Sequence, residues 1–195
     1  YRYESLTNRE EAGEEIPLEI NIDVDDKEHT LTITDTGIGM TAAELVENLG
    51  TIAHSGSREF IRHLSETDRK DLNLIGQFGV GFYSAFMVAS RVRVLTRSYR
   101  SGAEGCEWVS DGIGTYTIGP AKGLSRGTKI ILELKEDARE FSKADRIKGI
   151  IRRYSSFVPF PIKVNGEQVN TVQALWVRNK NEVTGEEYTE FYKFL

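Results

Sequence analysis

The chain has 195 residues, 39% of them hydrophobic and 10% aromatic, enough for one domain with a sizeable core and the start of a second. Its net charge of -5 argues against a nucleic-acid or anionic-membrane surface as the main partner, and its single cysteine, Cys106, excludes a disulfide framework. His29, His54 and His63 show no metal-ligand spacing with Cys106, so no zinc site is expected, nor is any signal peptide, transit peptide or membrane span. The chain starts at Tyr1 rather than at a methionine and is read as a processed piece of a longer one, from which an upstream signal could have been lost.

In chain order, residues 1–14 are polar and mixed in charge and read as a frayed end or loop. Ile16, Leu18, Ile20, Ile22 and Val24 then alternate with Pro17, Glu19, Asn21 and Asp23, the pattern of a half-buried strand. Residues 25–29 turn, and Leu31 and Ile33 resume the alternation, so a hairpin delivers Asp35 at the end of its second strand. The motif DTGIGM follows at 35–40. Thr41 and Glu44 then have the spacing of a capping box, which predicts a helix over 41–49 stopped by Gly50 and bearing Asn48. Asp35 and Asn48 are therefore expected to face one pocket.

Residues 50–75 are small, polar and turn-rich apart from a short helix predicted over 58–64, and glycines bound them on both sides. They suit a lid or an ordinary surface loop. Three glycines at 76, 79 and 81 run into Phe82, Tyr83, Ala85, Phe86, Met87 and Val88, which predicts a fully buried helix entered through a glycine turn. Such a turn suits phosphate oxygens, because backbone N–H groups converge there and the helix N-terminus carries partial positive charge. It also suits a plain flexible connection. The spacing is G-x-x-G-x-G, which is neither a dinucleotide fingerprint nor a P-loop.

Beyond it, Val92, Val94 and Thr96, then residues 107–110, Tyr116 and Ile118, and Ile130, Leu132 and Leu134 read as an antiparallel meander with one buried face. Ser142 and Asp145 predict a second capping-box variant opening a helix whose docked face is Ile147, Ile150, Ile151 and Tyr154. Ile162 and Val164 form a strand, and Asn165-Gly166 marks a hairpin turn. The texture changes beyond Asn170, where a domain boundary is expected. Trp108 and Trp176 are read as core or domain-contact residues, and Cys106 as structural.

The chemistry lies in the order of these parts. A carboxylate ending a strand among apolar neighbours is costly without a donor to satisfy it, and the exocyclic amine of adenine is such a donor. Gly37 and Gly39 would let a flat base approach, although D-x-G-x-G is equally ordinary turn chemistry. Asn48 could offer an amide oxygen to a magnesium ion on the phosphates, or be a plain polar residue near a helix end. Thr128, at a strand start after Gly127, could hydrogen-bond the base beside Asp35, or have no such role.

Together with DTGIGM at 35–40, NLGTIAHSGS at 48–57, IGQFGVGFYSAFMV at 75–88 and QALW at 173–176, this order resembles the heat-shock protein 90 family. That family shares a nucleotide-binding domain with gyrase B, histidine kinases and MutL, and the resemblance spans nearly the whole chain. It implies an α+β fold, a two-layer α/β sandwich of the Bergerat type whose mixed, mostly antiparallel sheet is covered by helices on one face. It implies ATP or ADP with Mg2+ as the bound cofactors. Asp35 is then the adenine anchor, with Gly39, Met40 and Thr128 around the base. Asn48 and Leu49 line the pocket, and Ser55, Gly56, Gln77, Phe78, Gly79, Val80, Gly81 and Phe82 complete it towards the phosphates. Residues 50–80 become the ATP lid, residues 1–169 the nucleotide-binding domain without its first strand and helix, and residues 170–195 the start of the middle domain.

FVPFPIKVNG at 157–166 and the passage from the last hairpin without a charged linker look most like the mitochondrial branch, with bacterial members next. A mitochondrial matrix location is expected, with the bacterial cytoplasm as alternative. His54 departs from the lysine or arginine usual at its position. In the family, a preceding helix holds the glutamate that activates water and an asparagine that binds magnesium. Residues 1–5 look like the segment after it, so the catalytic base is expected upstream of Tyr1, and Glu4 is not its substitute. The expected protein is an ATP-dependent chaperone, homodimeric through a further C-terminal domain, that binds nucleotide and client proteins, leaves room for co-chaperones, and uses neither nucleic acid nor membrane. A nucleotide-binding module without turnover, or another ATPase or kinase of the superfamily, are the alternatives.

Overall fold

The computed structural model describes residues 16–50 and 81–170. The lid, His54, Ser55, Gly56, Gln77, Phe78, Gly79, Val80, Trp176 and the segment after Asn170 lie outside them. Eight strands form one sheet: β1 (Ile20–Asp25), β2 (Thr30–Asp35), β3 (Ala89–Arg97), β4 (Cys106–Ser110), β5 (Tyr116–Pro120), β6 (Gly127–Leu134), β7 (Ile162–Val164) and β8 (Glu167–Gln168). Their spatial order is β5-β4-β3-β6-β2-β1-β7-β8. Every pairing is antiparallel except the parallel β1–β7 contact. Helices α1 (Ala42–Gly50), α2 (Ala85–Val88) and α3 (Ala144–Tyr154) complete the α+β fold. No helix among the described residues is long and apolar enough to cross a membrane.

Side chains alternate across a strand, so one face of each strand can be apolar while the other stays wet. Ile22, Leu31, Leu132, Val92, Val94, Trp108 and Val164 supply the buried face, against which Leu45 of α1 and Ile147 of α3 pack in one core. The opposite face carries ion pairs such as Arg93–Glu107 (2.7 Å) and Arg91–Glu133 (3.9 Å). This is the expected layering of helices over one side of the sheet.

Three local readings hold in detail. The β1–β2 turn is closed by the Asp25 carboxylate, which accepts the Lys27 and Glu28 amides at 2.8 and 3.0 Å. The capping box of α1 forms in both directions: the Thr41 amide donates to Glu44 Oε2 (2.8 Å) and the Glu44 amide to Thr41 Oγ1 (3.3 Å). Asn165 and Gly166 take φ of 47° and 83°, the two left-handed positions of a type I′ turn.

Other expectations are corrected. Residues 81–88 are not a fully buried helix but a 3-10 turn (Gly81–Ser84) followed by one α-turn, none of whose residues is buried. The Ala89 amide closes that turn on the Ala85 carbonyl, and β3 begins at once. Only one side is covered: Phe82 and Phe86 set their rings edge-on to Trp108, at 5.7 and 6.5 Å, while Met87 is 76% exposed.

The strands after it are not a simple meander, because β6 crosses back to lie between β3 and β2. The first strand starts at Ile20 rather than Ile16. Pro17 has no N–H to give, and the Glu19 amide is taken by Thr36 Oγ1 at 2.9 Å. Ser142 does not cap α3. Its hydroxyl lies 2.7 Å from Asp26 Oδ1 and 2.8 Å from the Arg139 carbonyl oxygen, and Lys143 stands at the N-cap with no side-chain bond. Tyr154, expected on the docked face, is 72% exposed beneath the Arg153 guanidinium.

Candidate functional site

Asp35 ends β2 opposite Thr128 of β6, and Thr128 stands opposite Thr96 of β3. Residues directly opposite in a ladder share a face, so these three form one row across three strands. Two residues along, the next row on that face is Ile33, Ile130 and Val94. The polar row therefore closes one end of an apolar surface.

The carboxylate of Asp35 is expensive there. Burial pushes its pKa above the ordinary aspartate value, and hydrogen bonds from the Gly37 amide (2.8 Å to Oδ1) and the Thr128 amide pull it partly back. Among the described residues it has no cationic partner. The net direction is upward, so burial outweighs these hydrogen bonds.

The loop from Thr36 to Met40 is held by hydrogen bonds from several elements. Arg126, 7% exposed, donates Nη2 to the carbonyls of Thr36 (3.2 Å) and Ile16 (3.3 Å). The Tyr99 amide donates to the Ile38 carbonyl at 2.7 Å. Gly39 has φ +61°, and a Cβ on it would lie 1.9 Å from the Arg97 carbonyl oxygen. At Gly37 a Cβ would meet Asp35 Oδ1 at 2.7 Å. Both glycines thus have reasons internal to the fold, in addition to the room they were expected to leave for a base.

The next residue, Met40, gives its amide to Thr96 Oγ1 at 2.9 Å, and Asn48 of α1 points its Nδ2 at Met40 Sδ (3.9 Å). Leu49 packs against the core edge, and its carbonyl accepts Tyr83 Oη at 3.3 Å, which ties the end of α1 to the turn at 81–84. Phe82 packs on the same core, whereas Gly81 is exposed with open space where a side chain would go.

The structure therefore brings Asp35, Thr128, Gly39 and Met40 together around Thr96, and Asn48 beside Met40. It places Phe82 on the core edge with Leu49 and Met40. Thr96 and Arg126 were not anticipated as site residues. The available signal for Thr96 was a hydroxyl in the inward phase of Val92, Val94 and Thr96. A surface depression lined by Ala42, Gly105, Cys106, Ile118 and Pro120 among others contains none of the row.

Comparison with known proteins follows the same lines. Residues 7–113 match the family described as "Histidine kinase-, DNA gyrase B-, and HSP90-like ATPase", and residues 163–195 match "Hsp90 protein". The chain is 60% identical over 194 residues to "Chaperone protein HtpG" of Desulfotalea psychrophila, covering all of this chain and 31% of that relative. It is 50% identical over 197 residues to "TNF receptor-associated protein 1 homolog, mitochondrial" of Dictyostelium discoideum, covering all of this chain and 27% of that protein. With "Heat shock protein 75 kDa, mitochondrial" of Bos taurus it shares 46% identity over 184 residues, 94% of this chain and 26% of the relative. The chain spans about a third of the length of the curated relatives it matches.

Proposed function

The chain belongs to the Hsp90 family, within the histidine kinase-, DNA gyrase B- and HSP90-like ATPases, and from that membership we propose that it is the ATP-binding domain of an ATP-dependent chaperone. The observation that carries the proposal is the Asp35–Thr128 row: a carboxylate raised in pKa by burial, without a cation among the described residues, beside a hydroxyl on the next strand. A neutral donor such as the 6-amino group of adenine satisfies that carboxylate without a second charge, which is the fit the residues support.

In this reading Asp35 accepts from the base amine while the Gly37 and Thr128 amides hold its carboxylate in place. Gly39, Met40 and Leu49 shape the wall. Asn48, whose amide lies beside Met40, is assigned to a magnesium ion carried by the phosphates. Gly79, Val80, Gly81 and Phe82 lie towards those phosphates, and residues 50–80 form the lid, with Ser55, Gly56, Gln77 and Phe78 on it. Residues 1–169 are the nucleotide domain and 170–195 the start of the next. No residue of the chain is assigned the role of general base, so hydrolysis by these residues alone is expected to be negligible.

For the whole protein the proposal is a homodimeric ATPase whose nucleotide-driven lid and dimer closure remodel client proteins. Relatives come from both mitochondria and bacteria. The motif at 157–166 supports the mitochondrial matrix, and the 60% identity to a bacterial relative supports the bacterial cytoplasm as the second assignment.

The test is calorimetric titration of Mg-ATP and ADP into this chain and into Asp35→Asn. Binding by the first and a loss of at least about a hundred-fold in the second, with unchanged circular dichroism, is the expected result. Equal affinity in both chains refutes Asp35 as the anchor.

A further inference from the structure

We propose that Thr96 fixes the hydrogen-bond polarity of Thr128 and so makes the pocket select a 6-amino over a 6-oxo purine. The inference rests on the placement of the base beside Asp35 and Thr128 proposed above. Thr96 touches no ligand in this scheme; it is a positioning residue that acts through Thr128.

The argument is a count of protons. Thr96 is 1% exposed, so its hydroxyl must be satisfied by protein, and it has one O–H and two lone pairs. The Gly127 carbonyl oxygen, 2.9 Å away, can only accept, and it takes that proton. The Met40 amide, also at 2.9 Å, can only donate, and it occupies one lone pair. One lone pair remains, and the third neighbour is Thr128 Oγ1 at 3.2 Å. Thr128 must supply the proton of that contact. Its single hydrogen is then directed inward, and it shows only lone pairs to the base.

Beside it stands the Asp35 carboxylate, also an acceptor when ionised. Two acceptors read a donor, which the amino group of adenine provides. Hypoxanthine and guanine present a carbonyl oxygen at the same position, so acceptor meets acceptor. Without the Thr96 hydroxyl, Thr128 is free to turn and donate to a 6-oxo group, while Asp35 accepts the N1–H that such bases carry. Selectivity should relax.

The test uses the full chain and compares dissociation constants for ATP and ITP, which differ in the 6-substituent and in the proton that the 6-oxo base carries on N1. Thr96→Val keeps the β-branch and removes the hydroxyl; Thr96→Ser restores the hydroxyl. The expected result is a fall of about ten-fold or more in the ratio of the ITP to the ATP constant for Thr96→Val, and a ratio near the unmutated one for Thr96→Ser. A purely structural role would weaken both nucleotides by the same factor, and an unchanged ratio in folded Thr96→Val overturns the proposal. The valine variant strands the Met40 amide and the Gly127 carbonyl, so an NMR measurement on the unmutated chain stands beside it. The Thr96 hydroxyl proton should show a through-bond coupling to the Gly127 carbonyl carbon. Finding that proton directed at Thr128 instead also overturns the proposal. If the unmutated chain binds neither nucleotide, or if Asp35→Asn binds ATP as well as the unmutated chain does, the base site itself falls, and the polarity proposal falls with it.

Discussion

At the residue scale, the proposed base site centres on a carboxylate that the fold keeps at a cost. Asp35 has a pKa raised by burial, so its contribution to stability has a definite sign. Below the ordinary aspartate value, about 3.9, the group is protonated in both folded and unfolded chains and costs nothing. As pH rises through the raised folded value, the folded state must ionise against its surroundings, and stability is lost. Asp35→Asn removes that loss. The free variant is therefore expected to melt at or above the unmutated chain at pH 7, with the gap closing towards pH ~4. Thermal melts of both chains across that window check it. A gap that is constant with pH, or that favours the unmutated chain more at pH 7 than at pH 4, contradicts the account. Asp35 and Thr128 were marked out in the sequence by a glycine, two residues after the first and immediately before the second, each at a strand end. Thr96 was not, since threonine is common in strands and only the three-strand register reveals that its hydroxyl faces Thr128.

Local rules worked best at the element scale, wherever the chain's chemistry was self-contained. The Thr41–Glu44 box needs only residues three apart, and both of its hydrogen bonds are present. Glu44 also pairs with Arg100 Nη1 at 2.8 Å, and the capping bonds and that guanidinium hold its carboxyl below the ordinary range although burial opposes them. Thr41→Ala is expected to cost about 1 kcal/mol in urea denaturation, and Thr41→Ser much less. Equal stability of all three chains would show that the box contributes nothing. The reading failed over residues 81–88, where an apolar run looked like a buried helix. Its length was compatible with that, but β3 begins at Ala89, and Lys135 Nζ reaches back to the Phe86 carbonyl at 2.7 Å, so only one side finds cover. Periodicity cannot anticipate a lysine forty-nine positions away. Ser142 failed for the same reason, its hydroxyl drawn to Asp26 across the fold.

For the whole molecule, the strand alternation specified which side chains face the core but not which strands are neighbours. Insertion of β6 between β3 and β2 is the step the pattern could not supply, and it is the step that builds the Asp35–Thr128–Thr96 row. It sets Thr128 between Asp35 and Thr96 and lets the loop at 36–40 rest on the end of β3. The class of fold was legible because the motifs occur in a fixed order along almost the entire chain, and family membership bears that out. The assembly of the site was not, because it depends on lateral contacts between residues 35, 96 and 128.

The most direct measurement of that assembly is a 15N NMR titration of the chain with ADP, followed at backbone amides. The account expects the largest shifts at Gly37 and Thr128, whose amides hold the Asp35 carboxylate, and at Met40, whose amide rests on Thr96. Saturable ADP binding that leaves those three amides unmoved would contradict it.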